Sequence, residues 1–198
     1  MEKQSFIKNL PERFTISNIL NGLFAIAVII VLINAPAKAL LIRGLMKMGF
    51  FQPDITSGKQ TYTSPDLSFE NEKGQSFALS SLKGKVVFIN FWATWCPPCI
   101  AEMPSINGLS AKLKGNHDVQ FIMVDVDHDF QKSRPFMDNR QLNLPLYEAT
   151  GTIPAGLFGE AIPTTVIIDK NGQVVFHHSG GADYSNPEML DYLNKLSR

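Results

Sequence analysis

The chain has 198 residues, which allows one domain of ordinary size with a short additional segment and excludes two large domains. Hydrophobic residues account for 44% of the sequence and charged residues for 18%, so the chain has enough apolar material for a core and is not of the disordered class. Lysine plus arginine and aspartate plus glutamate each number 18, and the resulting net charge of zero argues against nucleic acid as a partner.

The neutral total conceals two regions of opposite charge. Residues 1–51 carry six basic and two acidic side chains, whereas residues 52–198 carry twelve basic and sixteen acidic side chains. The net charges of +4 and −4 indicate that the two regions face different surroundings.

The N-terminal region contains a candidate membrane anchor. After a short tail at residues 1–15, Ile16–Ile33 is a largely apolar stretch that as a helix would extend about 27 Å. This length is slightly below that of the hydrocarbon core, so we predict a retained membrane-spanning helix at residues 16–36 that contacts membrane lipid. The alternative is a cleaved signal peptide with a small-residue cleavage site at Ala35-Pro36-Ala37.

The flanks of this stretch leave two questions open. Charge does not settle its orientation, because three basic residues precede it and three follow it: Lys3, Lys8 and Arg13, then Lys38, Arg43 and Lys47. Within residues 37–63, the stretch Ala37–Phe51 mixes basic and apolar residues, which suits either a helix in the membrane interface or a helix packed on the domain. Residues Gln52–Pro65 are predicted to be a linker.

The remaining residues, 64–198, predict a mixed α/β domain. Val86–Phe91 and Gln120–Val124 are typical of buried strands, and the helical pattern from Pro97 to about Leu113 between them predicts a right-handed parallel crossover. Hairpins are predicted before and after this unit, together with two more helices. The hairpins are Leu67–Glu70 with Gln75–Ala78 and Thr165–Ile168 with Gln173–His177, and the helices are about Gln131–Gln141 and one that starts at Asn186-Pro187-Glu188.

The only two cysteines lie in Cys96-Pro97-Pro98-Cys99, between a predicted strand and a predicted helix. Two cysteines are too few for a multi-disulfide scaffold or a cysteine zinc site. The helix N-terminus favours a thiolate, so Cys96 is the predicted nucleophile. Cys99, one helical turn later, can attack a mixed disulfide formed at Cys96. The predicted redox group is this pair itself, without a metal or an organic cofactor; an inert disulfide and half a metal site are the alternatives.

The two prolines between the cysteines bear on the direction of electron transfer. Pro97 and Pro98 have no N–H, so two backbone donors that would otherwise stabilise a Cys96 thiolate are missing. A less stabilised thiolate makes the dithiol form less favoured and the couple more reducing. We therefore predict a reductase. A disulfide-forming oxidant and a non-catalytic module that binds thiol clients are the alternatives.

The cysteines belong to a longer motif. The run Phe91-Trp92-Ala93-Thr94-Trp95-Cys96-Pro97-Pro98-Cys99, followed by Glu102-Met103-Pro104, resembles the active-site signature of membrane-anchored TlpA/ResA-like thioredoxins. The resemblance covers about Ser64–Arg198 and implies a thioredoxin fold, with a mixed central sheet flanked by helices and an N-terminal β-hairpin. It also implies a thiol-disulfide oxidoreductase on the bacterial cytoplasmic membrane, with its domain facing the periplasm or the cell exterior. Such proteins often supply reductant to apocytochrome c or to other oxidised client proteins with cysteine pairs, and a membrane electron donor would then re-reduce the domain.

The resemblance implies roles for further residues. Pro104 matches a proline that bends the active-site helix, and Ile162-Pro163 matches a cis-proline element that lies opposite the cysteines and pairs with substrate backbone. Asn90 stands where ordinary thioredoxins have a buried aspartate, and Glu102 matches an acidic residue near the resolving thiol. If Glu102 is buried, its pKa is raised and it can take the proton of Cys99. The alternative is a solvated glutamate in the first turn of the helix.

Two tryptophans flank the start of the motif. Trp92 is predicted to pack in the core, and Trp95, directly before the nucleophile, is predicted to be a partly exposed platform for substrate, although the two roles could be exchanged. Further along, the acidic run Asp125-Val126-Asp127-His128-Asp129 follows a predicted strand and has no second ligand cluster. A solvated loop is therefore favoured there over a metal site.

Overall fold

The computed structural model describes residues 16–53, 61–159 and 161–198. The predicted tail at residues 1–15, with its basic residues, and residues 54–60 of the predicted linker lie outside the described residues. The described helices are α1 (Ile16–Ile33), α2 (Ala35–Lys47), α3 (Pro97–Lys112), α4 (Phe130–Asp138) and α5 (Pro187–Leu196). The described strands are β1 (Tyr62–Thr63), β2 (Ser68–Asn71), β3 (Ser76–Ala78), β4 (Val86–Trp92), β5 (Val119–Asp125), β6 (Leu146–Thr150), β7 (Thr164–Ile168) and β8 (Gln173–Ser179).

These strands form a single mixed sheet in the order β1-β8-β7-β4-β5-β6-β2-β3. At its centre β4 is parallel to β5 and β5 is parallel to β6, whereas β7 is antiparallel to β4. Helix α3 joins the parallel neighbours β4 and β5, because parallel strands need a crossover connection. Both predicted hairpins form, β2 with β3 and β7 with β8. The predicted α/β fold with a mixed central sheet is confirmed.

The central strand β4 separates two apolar clusters. All seven of its residues are buried, and alternate side chains point to opposite faces of the sheet. Phe88 and Trp92 belong to the cluster that includes the apolar faces of α3 and α5, whereas Ile89 and Phe91 belong to the cluster on the other face. Burial on both faces holds the end of β4 in place, and the chain leaves that end toward Cys96.

Two strands were not predicted from the sequence. Tyr62 and Thr63, which lie in the predicted linker, form the edge strand β1 against β8, and the Tyr62 hydroxyl donates to the Gly156 carbonyl. Strand β6 pairs with both β5 and β2, and so connects the N-terminal hairpin to the sheet. Both strands are short, and distant partners stabilise them, so the local sequence carries little signal for either.

Helix α1 is largely apolar, with the polar residues Ser17, Asn18 and Asn21 near its start, and none of its side chains is buried in the protein. By length and composition it is able to cross a membrane. A helix of this composition buries its surface either in a large core or in lipid. A signal sequence near the N-terminus has the same composition, so the retained membrane anchor stays a prediction.

Helix α2 follows α1 after a single residue. Asn34 caps it by accepting a hydrogen bond from the Ala37 N–H (3.2 Å), and Pro36 lies in its first turn. Its residues Ala39 and Met46 are buried against α3, so one face of α2 packs on the domain. Other apolar side chains remain exposed, namely Leu40, Leu41, Met48 and Phe50. Contact of this exposed face with the membrane interface stays a prediction.

Candidate active site

The cysteine pair lies where β4 gives way to α3. Cys96 is the N-cap of α3, Pro97 and Pro98 form the start of its first turn, and Cys99 follows. The two cysteines form a disulfide with their Cα atoms 5.3 Å apart. Cys99 is fully buried, whereas 3% of Cys96 is exposed. Cys96 is therefore the sulfur that an incoming thiol or disulfide reaches first.

The backbone around Cys96 offers its sulfur limited stabilisation. The Cys99 N–H points to Cys96 Sγ at 3.3 Å, as expected for an N-cap side chain. The residues between them, Pro97 and Pro98, have no N–H to donate. The helix N-terminus thus favours a thiolate through its dipole and this one hydrogen bond, with fewer donors than a first turn without proline would have.

Glu102 lies one turn beyond Cys99 on α3 and is completely buried. Burial raises its pKa from 4.5 to about 8, and hydrogen bonds from Asn90 and Ala182 oppose part of this rise. Asn90 Nδ2 donates to one carboxyl oxygen (2.8 Å), and the Ala182 N–H donates to the other (3.1 Å). The alternative of a solvated first-turn glutamate does not hold, because this residue has no solvent-accessible surface.

The polar groups around Glu102 come from three other parts of the fold. Asn90 on β4 pairs with Thr165 on β7 and also donates to the Thr165 hydroxyl (2.9 Å). Tyr184 is buried nearby, and burial together with the charge of Glu102 raises its pKa well above 10, so the phenol remains protonated at neutral pH. Because Asn90 does not titrate, Glu102 rather than the strand residue is the proton-binding group beside Cys99.

The Ile162–Pro163 peptide bond is cis. Strand β7 starts directly afterwards at Thr164, which pairs with Phe91 near the end of β4. Ile162 packs against the apolar cluster that contains both cysteines. The cis-proline element therefore lies beside the end of β4, from which the chain runs to Cys96.

The two tryptophans lie in different environments. Trp92 is fully buried, with its ring 5.7 Å from that of Phe136. Trp95 is 60% exposed, and its indole N–H donates to Asp127 Oδ1 (3.1 Å) in the loop after β5. Trp95 thus offers an apolar surface directly before Cys96, in an orientation that a hydrogen bond holds.

Pro104 is an interior residue of α3, and the helix continues past it to Lys112. Since proline has no N–H, the Ile100 carbonyl lacks its usual helical donor. Just beyond it, the Ser105 hydroxyl donates to the Glu102 carbonyl (2.7 Å) and accepts a hydrogen bond from the Tyr184 N–H (3.0 Å). This part of α3 therefore holds the segment before α5 close to Glu102.

Sequence reasoning missed several residues that complete the site. Asp127 orients Trp95, Thr165 contacts Asn90, and Ala182 binds Glu102. Thr165 could have been found from the pairing of β4 with β7, whereas the Ala182 contact is backbone and has no side-chain signal. Among the residues that the structure describes, no cluster of His, Cys, Asp and Glu has the arrangement of a metal site. The acidic run after β5 instead forms a loop in which buried Asp125 accepts the N–H groups of Asp127 and Asp129 (3.1 Å each).

Comparisons with known proteins agree with this geometry. The family model for Redoxin matches residues 59–193. The chain is 32% identical over 178 residues to thiol-disulfide oxidoreductase ResA of Bacillus thuringiensis (strain Al Hakam), an alignment that covers 88% of this chain and 96% of the relative. It is 32% identical over 127 residues to the thioredoxin-like protein YneN of Bacillus subtilis (strain 168), covering 64% and 73% of the two chains.

Solved structures give the same result. A thiol:disulfide interchange protein of the thioredoxin family from Chlorobium tepidum TLS matches with a TM-score of 0.55 and 26% identity, over 70% of this chain and 98% of the other. The shared fold and the disulfide at the N-terminus of α3 together supply what dithiol-disulfide exchange needs: two cysteines close enough to form a disulfide, of which Cys96 is the more exposed. The chain therefore belongs to the Redoxin family, and within it is a thiol-disulfide oxidoreductase of the ResA type.

Proposed function

We propose that the chain reduces oxidised protein thiols outside the cytoplasm, as in cytochrome c maturation. In this proposal α1 is a single-pass anchor in the bacterial cytoplasmic membrane, and the domain faces the periplasm or the cell exterior. The proposal that the chain donates electrons to its client is supported by the first turn of α3. Because Pro97 and Pro98 have no N–H, the backbone hydrogen bond to Cys96 Sγ comes from Cys99. A weakly stabilised thiolate gives up its electrons more readily.

The reaction begins at Cys96. Its thiolate attacks one sulfur of the client disulfide, the client S–S bond breaks, and a Cys96–client disulfide forms while the first client thiolate takes a proton from water. Cys99 then attacks Cys96 Sγ, which forms the Cys96–Cys99 disulfide and releases the second client thiolate. Two electrons have passed to the client, which leaves as a dithiol. Trp95 and the Ile162-Pro163 element contact the client in this proposal.

Glu102 serves the second step as the proton acceptor for Cys99. A thiol ordinarily has a pKa near 8.5, and burial raises the Glu102 pKa to about 8. Once Glu102 has lost its own proton, transfer from Cys99 to the carboxylate therefore costs little free energy. An ordinary exposed glutamate would be too weak a base for this transfer. Glu102 can pass the proton on to the departing client thiolate, which keeps the overall reaction balanced.

The direction of electron transfer is tested by the reduction potential of the full chain in detergent, measured by dithiothreitol titration with tryptophan fluorescence. We expect a value near that of thioredoxin, about −270 mV. A value near −120 mV would make the protein a disulfide-forming oxidant, the second candidate function.

In Pro98→Ala, which restores one N–H at the first turn, we expect the potential to rise by about 30 mV, the equivalent of one hydrogen bond. An unchanged potential in this variant would show that the missing N–H groups of the prolines do not make the cysteine pair more reducing.

Membrane orientation is tested with the only two cysteines as the labelling sites. In intact spheroplasts that express the full chain, brief reduction followed by a membrane-impermeant maleimide is expected to label the protein. A variant with both cysteines changed to serine is the control and should take no label. Labelling that occurs only after the cells are broken would place the domain in the cytoplasm and contradict the proposal.

A further inference from the structure

Helix α2 docks on the part of α3 that carries the active site. Its Ala39 and Met46 are buried with Ala101, the residue directly before Glu102, and Ile42 and Ile100 pack at the edges of this contact. The alanines on the two helices allow a close approach, because neither has atoms beyond Cβ. Met46 is the long side chain of the contact, and only 2% of it is exposed.

Met46 also reaches the segment between β8 and α5, residues 180–186, which we call the 180–186 loop. A side chain on Gly181 would begin 2.8 Å from Met46 Cε and 3.1 Å from Pro98 Cβ, which is too close for any residue but glycine without movement of a neighbour. Gly181 therefore lies against both Met46 and Pro98. These contacts connect α2 to a residue of the Cys-x-x-Cys motif.

The residues that follow α2 hold the same loop through one backbone and one side-chain hydrogen bond. The Phe51 carbonyl accepts the Asp183 N–H (2.8 Å), and the Gln52 side chain accepts a hydrogen bond from Asn186 Nδ2 (3.2 Å). Ala182 lies between Gly181 and Asp183, and its N–H binds Glu102. The donor to Glu102 is thus flanked on both sides by contacts with α2 and the residues after it.

We infer that α2 is part of the redox site, and that Met46 is a positioning residue that keeps the 180–186 loop on Glu102 and keeps water away from that carboxyl. The inference rests on the proposed role of Glu102 as proton acceptor. Since α2 continues from α1 after one residue, it also connects the predicted membrane anchor directly to the proton-accepting group. A shift of α2 on α3 would therefore alter the reaction of Cys99.

The groups that face Glu102 are few. Asn90 and Thr165 from the strands carry no charge, Tyr184 from the loop remains protonated at neutral pH, and the cysteines lie on α3 itself. Arg43 and Lys47 of α2, with Asp183 of the loop, line a cleft that Met46 and Ala101 also line. Substitution of Met46 removes none of these groups. Any change in the Glu102 pKa in such a variant therefore comes from water reaching the carboxyl or from movement of the 180–186 loop.

The test follows the Glu102 carboxyl directly in the full chain, in phospholipid nanodiscs. Infrared titration records the protonated carboxyl signal against pH, and loss of that signal in Glu102→Gln identifies it. In Met46→Ala, water reaches the carboxyl, and we expect the midpoint of its titration to fall by about one pH unit. Met46→Leu should restore the midpoint, and Met48→Ala, the same substitution at an exposed site of the same segment, should leave it unchanged.

The outcomes separate this inference from the proposed function. A midpoint in folded Met46→Ala equal to that of the parent chain, or an equal shift in Met48→Ala, would overturn the inference. If Met46→Ala does not fold, Met46→Val removes the same Sδ and Cε atoms and carries the same expected shift. If the parent chain shows no carboxyl signal that Glu102→Gln removes, the role of Glu102 as proton acceptor fails, and the inference fails with it.

Discussion

Replacing Cys99 with alanine is expected to stop turnover and to leave client proteins covalently bound at Cys96. Cys96 is the more accessible sulfur, so the first attack on a client disulfide still occurs. Without Cys99 no second sulfur lies within bonding distance to resolve the mixed disulfide, because the chain has no further cysteine. We expect the reductase rate to fall at least about 1000-fold, since nucleophile and resolving thiol act as a unit.

The measurement is the steady-state reduction of a disulfide-bonded client peptide, together with mass spectrometry of the full chain under non-reducing conditions. Cys96→Ala is the matched control: it should lose the same activity but accumulate no adduct, because the buried Cys99 does not reach the client. A variant with both cysteines changed to alanine distinguishes the non-catalytic alternative. If that variant still supports the maturation of client proteins, the chain is a thiol-client binding module and not a reductase.

Replacing Glu102 with glutamine is expected to change both the reaction and its pH dependence. The resolution step should slow by about 100-fold, the usual contribution of a general base. Glutamine occupies nearly the same volume, and its oxygen still accepts the Ala182 N–H. Its NH2 group then faces Asn90 Nδ2, so the Asn90 amide has to turn over and accept through Oδ1, a buried atom with no partner among the described residues. The slowing would therefore report the loss of a proton acceptor rather than a disturbed fold. An unchanged rate of mixed-disulfide resolution would refute the assignment.

The same variant should also change how stability depends on pH. Burial raises the Glu102 pKa in the folded state to about 8, above the ordinary value of 4.5, so the folded protein binds this proton more tightly than the unfolded chain. The stabilisation is complete below about pH 4.5 and is lost as the pH rises through about 8. Over this window the lost free energy of unfolding is on the order of 5 kcal/mol. In Glu102→Gln this decline is absent.

Urea unfolding of the full chain in detergent between pH 4.5 and pH 9 measures this difference. Burial lowers the pKa of His177 and His178. Their contribution to the stability of the protein is therefore lost in the opposite direction, as the pH falls. Their contribution is common to both proteins and cancels in the difference between them. The control is Glu188→Gln, at an exposed position in the first turn of α5, which should retain the decline of the parent chain. Parallel pH profiles of Glu102→Gln and the parent chain would show that Glu102 is not the responsible group.

Local patterns in the sequence predicted the strand and the helix that position Cys96. The β-branched run of β4 has to be buried on both faces, and the prolines and cysteines directly after it mark the start of α3, so the position of Cys96 follows from a few neighbouring residues. The hairpin of β7 and β8 follows in the same way from Asn171-Gly172, where the glycine adopts a positive φ of 79°. Strand β6 was not predicted from the sequence, because its stability comes from pairing with β5 and β2.

The sequence by itself therefore determined the class of chemistry: two cysteines one helical turn apart, at a strand-to-helix junction, are sufficient for disulfide exchange. Only the tertiary structure decided the environment in which that chemistry takes place. Glu102 owes its raised pKa to burial and takes one of its hydrogen bonds from Ala182, which lies 80 residues away in the chain. Met46, which holds the same loop, precedes the whole sheet in sequence. Burial, and contacts between residues far apart in the chain, depend on how distant elements pack together. Local residue patterns do not encode them.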